Sequence, residues 1–320
     1  MFTLPTFLEN KEKALYLNPA WDSVKCGVLI PKAQGINIPA ASSIANLGYS
    51  DDQILEAPTD AYAEIYGLIG TLVSGGGNVN RVLCQFRDTG IVERFLMNHP
   101  VLFNHVFGTA LNPMYLRSED ASQPIWMDPL QVLFIKLMNS DTTGAVTANF
   151  AALQSKYQRM AMKKPNIAKN VQDSVKRYRC ITPYWFTMDS VLPGTTISGV
   201  QIAAGATQDI FFTAPSDVEL CLTSAMATAI TVGIAGDTLE VFNAQFFDAQ
   251  TDRPYQSQPV TLHTGFGTPS FPSYFDVPVI VPPTYKLRAR FTNLITDAPI
   301  DLFVTFHGVA NYKYAEHYMQ

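Results

Sequence analysis

Histidine is the residue type in this sequence best suited to chemistry, because its imidazole binds metals and transfers protons near neutral pH. The chain has five histidines, and no two of them are separated by a single residue. His99 and His105 have even spacing and could share one face of a strand. A metal site needs a third ligand, and no thiol or carboxylate is placed beside this pair. We therefore expect no bound metal.

Cysteine and serine motifs of known chemistry are also missing. The four cysteines, Cys26, Cys84, Cys180 and Cys221, include no Cys-x-x-Cys pair. Because Cys84 and Cys221 fall in strand-like runs, we expect both to be small buried hydrophobic residues. The sequence has no Gly-x-Ser-x-Gly or His-Glu-x-x-His run, and the glycines at 75–77 lack the Lys-Ser/Thr of a phosphate-binding loop. The sequence thus predicts a protein that is not an enzyme and needs no cofactor.

A basic segment, Ala151–Cys180, lies near the middle of the chain. Its only acidic residue is Asp173, and Pro165 is expected to divide it into two short helices. One interpretation is a solvated connector between domains; the other is a surface for anionic lipid, nucleic acid or an acidic neighbour. Eight of the 22 basic residues of the chain lie in it: Lys156, Arg159, Lys163, Lys164, Lys169, Lys176, Arg177 and Arg179.

The N-terminal segment has an apolar part followed by a basic part. It lacks the basic start and long apolar core of a secretory signal, so we expect the protein to fold in a cytoplasm. The longest uncharged apolar stretch, 100–116, contains Asn104, His105 and Pro113 and is a poor membrane span. The residues of the N-terminal segment that could contact another surface are Phe2, Leu4, Phe7, Leu8, Lys11 and Lys13.

The composition limits the possible classes of protein. At 320 residues the chain has room for two domains. Charged residues make up only 15%, against about 25% in an average protein. The net charge of −5 argues against nucleic acid as the main partner. Low charge together with 12% aromatic residues indicates a loop-rich β protein whose surface is largely covered by neighbours.

An internal repeat organises the sequence. Between positions 100 and 115 seven residues recur 159 positions later, and further matches occur at offsets of 160, 154 and 156. Five extra residues between Pro113 and Pro129 of the first copy account for the change from 159 to 154. Diverged copies of one domain show such insertions, because loops tolerate changes in length. The matched pairs are Gln85/Gln245, Phe86/Phe246, Asp88/Asp248, Pro100/Pro259, Val101/Val260, Phe107/Phe266, Gly108/Gly267, Thr109/Thr268, Pro113/Pro272, Tyr115/Tyr274, Pro129/Pro283, Leu133/Leu287, Asn139/Asn293 and Phe150/Phe306.

Both copies have the pattern of many short strands separated by turn residues. In the second copy, Leu287, Ala289 and Phe291 alternate with basic residues, as in a strand with one buried face. Gly236-Asp237 and the glycines at 75–77 are each expected to form a hairpin loop. We predict strands at 62–73, 79–86, 101–107, 130–138, 145–153, 208–213, 218–223, 230–235, 239–247, 260–266 and 300–309.

This pattern predicts an all-β fold of two tandem jelly-roll β-sandwiches, a double jelly roll, with a short helical connector. The matched residues Phe86, Phe246, Leu133 and Leu287 are expected in the cores. We predict an N-terminal arm at 1–18, a first jelly roll at 19–150, the basic connector at 151–182, a second jelly roll at 183–312 and a C-terminal tail at 313–320.

In organisation and size the chain resembles the double jelly-roll major capsid proteins of tailless icosahedral bacteriophages that contain a membrane. The resemblance covers nearly the whole chain and has no diagnostic short motif. It implies a structural virion protein whose homotrimers are pseudo-hexagonal units of an icosahedral capsid. The implied partners are the chain itself, other virion proteins such as penton or membrane proteins, and an internal membrane, with neither nucleic acid as primary partner nor a small-molecule substrate. The resemblance also implies an inner surface, for which the candidates are Phe2, Leu4, Phe7, Lys11, Lys13, Lys163, Lys164, Lys176, Arg177 and Arg179.

Two alternatives stay open. A minor virion protein could use jelly rolls to bind a receptor or glycan through exposed aromatic residues, and the tryptophans Trp21, Trp126 and Trp185 are the candidates. A bicupin-like metal enzyme would need a His-x-His pair, which the sequence lacks.

Overall fold

The computed structural model describes residues 24–31, 34–43, 46–89, 94–109, 111–116, 123–158, 165–195, 197–231 and 241–312. The predicted N-terminal arm and C-terminal tail lie outside these residues. Within the described ranges, no helix has both the length and the apolar character needed to cross a membrane.

The first half of the chain folds into two facing antiparallel sheets. One sheet has the order β1-β12-β5-β10, with β2 on β12 and β9 on β5, and the other has the order β3-β11-β6-β7, with β4 on β11 and β8 on β6. The strands are β1 (Val24–Leu29), β2 (Ile36–Ile38), β3 (Gly48–Tyr49), β4 (Gln53–Glu56), β5 (Ala61–Gly75), β6 (Val82–Asp88), β7 (Arg94–Phe95), β8 (Val101–Leu102), β9 (Met114–Tyr115), β10 (Ile125–Met127), β11 (Val132–Asn139) and β12 (Ala145–Gln158). A 3-10 helix, Val79–Arg81, and α1, Phe103–Phe107, complete this half.

The second half repeats the arrangement. Its sheets have the orders β13-β21-β16-β19, with β14 on β21, and β15-β20-β17-β18. The strands are β13 (Ile181–Thr187), β14 (Val200–Ile202), β15 (Thr207–Thr213), β16 (Val218–Thr231), β17 (Phe242–Asp248), β18 (Val260–Thr261), β19 (Ser273–Val281), β20 (Lys286–Asn293) and β21 (Ile300–Tyr312). Helix α2, Pro165–Cys180, joins the halves, and α3, Leu262–Phe266, is the counterpart of α1.

The predicted fold class is confirmed. In each half, one sheet pairs the first strand with the last strand and the last strand with a central strand, as in β1-β12-β5 and β13-β21-β16. The facing sheet is formed by strands that lie between these along the chain, as in β3-β11-β6 and β15-β20-β17. This strand order is the jelly-roll arrangement. The alternation in β20 has the predicted effect, because Leu287, Ala289 and Phe291 are buried. The strand predicted at 62–73 is confirmed and extends over residues 61–75.

The hairpin predicted at 75–78 is wrong, and the one predicted at Gly236-Asp237 lies outside the described residues. The strands on either side of residues 232–240 belong to different sheets, and so do the strands on either side of Gly75–Asn78. Chain connections in a jelly roll cross from one sheet to the facing one, and the turn residues that favour a hairpin serve such a crossing equally well. Residues 79–81, predicted as strand, form the 3-10 helix. Strand β16 joins the predicted strand 218–223 to residues 230 and 231 of the next predicted strand, whose remaining residues 232–235 lie outside the described ranges.

The most strongly repeated segment is a helical turn and not the predicted strand. In both copies a two-residue strand leads into the five-residue helix α1 or α3. The amide N–H of Gly108 donates to the carbonyl of Asn104, and that of Gly267 to the carbonyl of His263. Both glycines have positive φ, 65° and 70°, a conformation that ends a helical turn and that glycine adopts at little cost.

A hydrogen-bonded turn follows each helix and explains the matched threonines and prolines. The amide of Thr109 donates to the carbonyl of Asn112 (2.9 Å), and the amide of Thr268 donates to the carbonyl of Phe271 (2.9 Å). Each threonine hydroxyl accepts from the amide three residues later. Isolated bridges then pair Gly108 with Pro113 and Gly267 with Pro272, so the repeated residues are the parts of one turn.

The five-residue difference lies where the sequence places it, between Tyr115 and Ile125 of the first copy. Tyr115 and Tyr274 pair with Gly67 and Ser224, next to a bulge that occurs at the same place in β5 and β16. After the insertion, each residue of the first copy corresponds to the residue 154 positions later in the second copy. The pairing of Phe150 with Phe306 at an offset of 156 is therefore wrong: Phe150 lies opposite Gly70, and its counterpart is Val304.

The connector is shorter than predicted. Residues 151–158 belong to β12, because Ala151, Ala152 and Leu153 continue the pairing with β5, and the first sandwich extends beyond residue 150. The described part of the connector is the single helix α2, which begins at Pro165. Proline fits the first turn of a helix, where its missing N–H has no intrahelical partner, so Pro165 starts this helix. Residues 159–164, where the other predicted helix would lie, are outside the described ranges.

Two cores fill the sandwiches, and a third cluster lies between them. Phe86, Leu133 and Leu287 are buried as predicted. Phe246 is only half-buried, which corrects the prediction. Its ring packs on Phe266 at 4.4 Å on one side, and its other side lines a cavity described below.

We expect Gly108→Ala and Gly267→Ala to destabilise the protein more than an ordinary glycine replacement. An added Cβ would lie 2.3 Å from the carbonyl oxygen of Asn112 or 2.4 Å from that of Phe271. Gly205→Ala is the matched control, because Gly205 has φ 64° but no atom closer than 3.9 Å. We expect the free energy of unfolding to fall by about 1–2 kcal/mol in the control and by more than about 3 kcal/mol in the other two variants. Urea unfolding measures this change. Equal losses in all three variants would mean that the close approach in the turn is unimportant.

Candidate assembly surfaces

Most predicted inner-surface residues lie outside the described ranges: Phe2, Leu4, Phe7, Lys11, Lys13, Lys163 and Lys164. Lys176, Arg177 and Arg179 lie on α2 and are exposed. The guanidinium of Arg179 lies 3.5 Å from a carboxylate oxygen of Asp128. The structure thus brings three of the ten residues together on one helix.

Helix α2 is part of the first sandwich. Val171, Val175 and Tyr178 are buried in the first core. The hydroxyl of Tyr178 donates to Asp88 (2.9 Å), and Arg94 donates to the carbonyls of Tyr178 and Arg179 at the C-terminus of the helix. A cation at a helix C-terminus is favourable because the carbonyl dipoles point towards it. The basic residues of α2 are therefore held on a fixed surface of the first sandwich.

The junction between the sandwiches is polar as well as apolar. His105, at the open end of the first sandwich, is fully buried between two hydroxyls of the second: its Nδ1 lies 2.8 Å from Oγ1 of Thr305 and its Nε2 lies 2.9 Å from Oγ1 of Thr228. Arg81 donates to Asp301 at 2.6 Å. A neutral imidazole donates from one nitrogen and accepts at the other, which matches two hydroxyls.

The outer face of the β13-β21-β16-β19 sheet is buried by this junction over β13, β21 and most of β16, but not over the edge strand β19. Facing away from the second core, Phe303 and Ile230 pack with Leu83 and Leu102 of the first sandwich. Trp185 enters the first core, where its ring lies 5.7 Å from that of Phe86. Further buried residues of this face are Thr187, Met226, Thr228, Asp301, Thr305 and His307.

The same face of the first sandwich carries exposed apolar side chains among the described residues. On the outer side of the β1-β12-β5-β10 sheet, Val28, Ile30 and Val73 are 51%, 56% and 56% exposed. A free sandwich usually alternates apolar residues towards the core with polar residues towards water. An apolar outer face of this kind is typical of an interaction surface.

A second apolar surface surrounds a cavity of about 360 Å³ at the open end of the second sandwich. Between the pairs Leu222–Val279 and Ser224–Tyr274, β16 has one residue and β19 has four, so β19 bends away from the sheet. The exposed edge includes Val277 and Ile280. Residues that line the cavity include Phe246, Tyr255, Tyr274, Phe275, Asp276 and Val277.

The chemical candidates are not brought together. His99 is exposed, whereas His105 is buried on a helix, so the two do not share a strand face. In the ranges that the structure describes, no three His, Cys, Asp or Glu side chains form a group able to hold a metal ion. Trp126 and Trp185 are buried and cannot form a glycan platform, while Trp21 lies outside the described ranges.

Of the two cysteines that were expected to be buried, Cys84 is buried and Cys221 is not. Burial raises the pKa of the Cys84 thiol well above its usual value, which keeps it protonated and unreactive. Cys221 is half-exposed, contrary to the prediction, because it lies on the outer side of β16 next to the edge strand β19.

We expect the junction to weaken in acid. Burial lowers the pKa of His105 to about 3 and that of His307 to about 4. In the unfolded chain each histidine binds a proton near pH 6.5, whereas in the folded chain it does so only near pH 3 or 4. The free energy of unfolding is therefore highest above pH 6.5 and falls as the pH decreases below that value. The loss is at most about 1.4 kcal/mol per pH unit for each histidine.

The measurement is urea unfolding between pH 7 and pH 4. His105→Gln should reduce the dependence on pH, whereas His99→Gln, at an exposed histidine, should leave it unchanged. If the free energy of unfolding changed equally with pH in the wild type and in His105→Gln, the loss of stability in acid could not be assigned to His105.

Comparison with known proteins finds likeness in structure alone. No protein-family model and no curated sequence matches the chain. The major capsid protein P2 of bacteriophage PM2 is 10% identical with a TM-score of 0.42, over 89% of this chain and 98% of that chain. PNGF-II is 9% identical with a TM-score of 0.34; the match covers 89% of this chain and 65%, just under two thirds, of PNGF-II. The VP2 subviral particle of infectious bursal disease virus is 11% identical with a TM-score of 0.22, over 91% and 71% of the chains. These TM-scores are below 0.5, so the assignment of the fold depends on the strand order described above.

Proposed function

We propose that this chain is a structural virion protein, a major capsid protein whose homotrimers form the pseudo-hexagonal units of an icosahedral shell. The observation that carries the proposal is the exposed apolar outer face of the first sandwich, with Val28, Ile30 and Val73. The corresponding face of the second sandwich is buried within the chain. A subunit of a shell buries such a face against its neighbours.

Assembly from one chain type accounts for the low charge as well. Only 15% of the residues are charged, and obligate interfaces are more hydrophobic than ordinary protein surfaces and commonly exceed about 2,000 Å². The chain would assemble in the host cytoplasm and become part of the virion. Its other partners would be penton or membrane proteins of the same particle.

We expect the purified protein to be a trimer and the most abundant protein of its particle. Light scattering coupled to size exclusion measures the first, and quantitative mass spectrometry of particles measures the second. A stable monomer at micromolar concentration, or a minor share of the particle mass, would exclude the major capsid role.

Contact with an internal membrane is a separate part of the proposal. The arm residues Phe2, Leu4 and Phe7 offer apolar side chains, and Lys11 and Lys13 offer charge. A basic residue near an anionic surface contributes about 1 kcal/mol, and many copies on a shell add through multivalency. The exposed Lys176 of α2 is available to the same surface if α2 lies on the inner side.

Deletion of residues 1–10 tests the arm. We expect particles that lose lipid or fail to close, measured by lipid phosphorus per particle and by electron microscopy. Particles of normal size with all their lipid would contradict a membrane role for the arm.

A second candidate is a receptor- or glycan-binding virion protein, and the cavity favours it. Tyr255, Tyr274 and Asp276 combine aromatic rings with a carboxylate around an accessible space, and sites for small ligands combine apolar surface with a few polar groups. Such a protein would be a minor component, so the copy-number measurement above separates the two functions.

A further inference from the structure

We infer that the outer face of the first sandwich binds the open end of the second sandwich in another copy of this chain, by the contact that joins the two sandwiches within one chain. The outer face is the side of β1, β5 and β12 that points away from the first core; Val28 and Val73 on it are exposed, and Thr71 and Ala151 are half-buried. The open end is the cavity with its rim, including Phe246, Tyr255 and Thr264. The inference rests on the proposed function, because it names the contact by which the shell subunit would assemble.

The first step is the structural equivalence of the two outer faces. The shared bulge and the strand pairings fix the correspondence residue by residue. On this basis Val28 corresponds to Trp185, Thr71 to Thr228, Val73 to Ile230 and Ala151 to Thr305. The second member of each pair is buried against the first sandwich of its own chain.

The second step is the equivalence of the two open ends. The turn containing His105 corresponds to the turn containing Thr264, at the offset of 159 that relates α1 to α3. The amide of Leu96 donates to the carbonyl of Phe86, as that of Tyr255 donates to the carbonyl of Phe246. The two ends are therefore built from the same backbone hydrogen bonds.

The third step is that each chain uses one copy of each surface and leaves the other copy unused. The outer face of the second sandwich meets the open end of the first. The outer face of the first sandwich and the open end of the second have no such contact among the described residues, and both carry exposed apolar side chains. Because the two unused surfaces are complementary by descent, a second copy of the chain fits both.

The cavity shows where the contact would form. In the first sandwich, Trp185 covers Phe86, and its amide donates to the carbonyl of Leu96 (3.0 Å). The counterparts Phe246 and Tyr255 line the cavity, and the counterpart of Trp185 is Val28 on the edge strand β1. Val28 of one copy would enter the cavity of the next.

A contact of this type is heterologous, because two different surfaces meet. Heterologous contacts form closed rings when the rotation between neighbours divides a full turn, and filaments otherwise. Three chains would place six sandwiches in one ring with six similar junctions, in agreement with the proposed homotrimer.

Chemical crosslinking tests the pairing. Thr71 and Thr264 correspond to Thr228 and His105; the Nε2 atom of His105 lies 2.9 Å from Oγ1 of Thr228, so the backbones are separated by the length of an imidazole, which is too far for a disulfide. We would make Thr71→Cys and Thr264→Cys separately, each in a chain in which the accessible Cys26 and Cys221 are replaced by Ser. The two variants, with different tags, would be co-expressed and treated with a short bis-maleimide, which bridges two thiols at this separation. We expect a crosslinked dimer from the co-expressed pair and none from either variant alone, and a covalent closed trimer from the double variant.

Light scattering on the same samples separates the possible failures. Trimers without a crosslink in the co-expressed pair would overturn the inference and leave the proposed function standing. Crosslinking of Thr71→Cys to itself would mean that like surfaces meet, which also overturns the inference. Monomers in the wild-type protein would overturn the proposed function.

A charge placed in the contact gives an independent test. Val28→Asp should abolish assembly, whereas Val191→Asp should not, although Val28 and Val191 are 51% and 52% exposed. Both variants should keep the far-UV circular dichroism spectrum of the wild-type protein, because neither side chain belongs to a core. Normal trimers of Val28→Asp would overturn the inference.

Discussion

Burial of one sheet on both faces is the constraint on which this structure depends. The β13-β21-β16-β19 sheet has the second core on one face and the first sandwich on the other, and residues 300–310 of β21 are all buried. A charge on either face would need a partner, because burial of an unpaired charge is very costly. Asp301 has one in Arg81, and the remaining positions towards the first sandwich are hydroxyl, imidazole or apolar side chains. In the first sandwich, β12 alternates buried with half-buried residues, as a sheet with one free face does.

The two copies have kept their local hydrogen bonds and changed their neighbours. Asn139 and Asn293 perform the same task at the ends of β11 and β20: each side-chain oxygen accepts from the amide two residues later, and each side-chain nitrogen donates to the carbonyl five residues later. The matched carboxylates differ. Asp88 accepts from Tyr178 of the connecting helix, whereas Asp248 accepts from Tyr285 of its own sandwich. Divergence is concentrated where a sandwich meets something outside itself.

Much of the fold could be predicted from the sequence, because repeated residues and the alternation of apolar residues are local patterns. The helical turns were missed because Val101–Phe107 is apolar at nearly every position and fits a strand as well as a helix. Gly108, followed by Thr109 and a proline, was the available indication of a turn. The hairpin predicted at 75–78 was wrong because a turn sequence does not specify which strands pair over long distances. The junction could not be located from repeats, since its contacts lie where the copies differ. The long uncharged runs of β16 and β21 were nevertheless an indication of burial on both faces.

The two kinds of junction should respond differently to acid. Within a chain, the contact contains His105 and His307, and burial lowers the pKa of both. At the proposed contact between chains, the corresponding positions are Thr264 and Leu153, which do not titrate. Protonation therefore acts on the link between the two sandwiches of one chain and not on the matching link between chains. In the proposed ring, which would need both links, acid would therefore act on the junction inside each subunit. The duplicated contact would thus keep one architecture while confining its sensitivity to pH to half of its junctions.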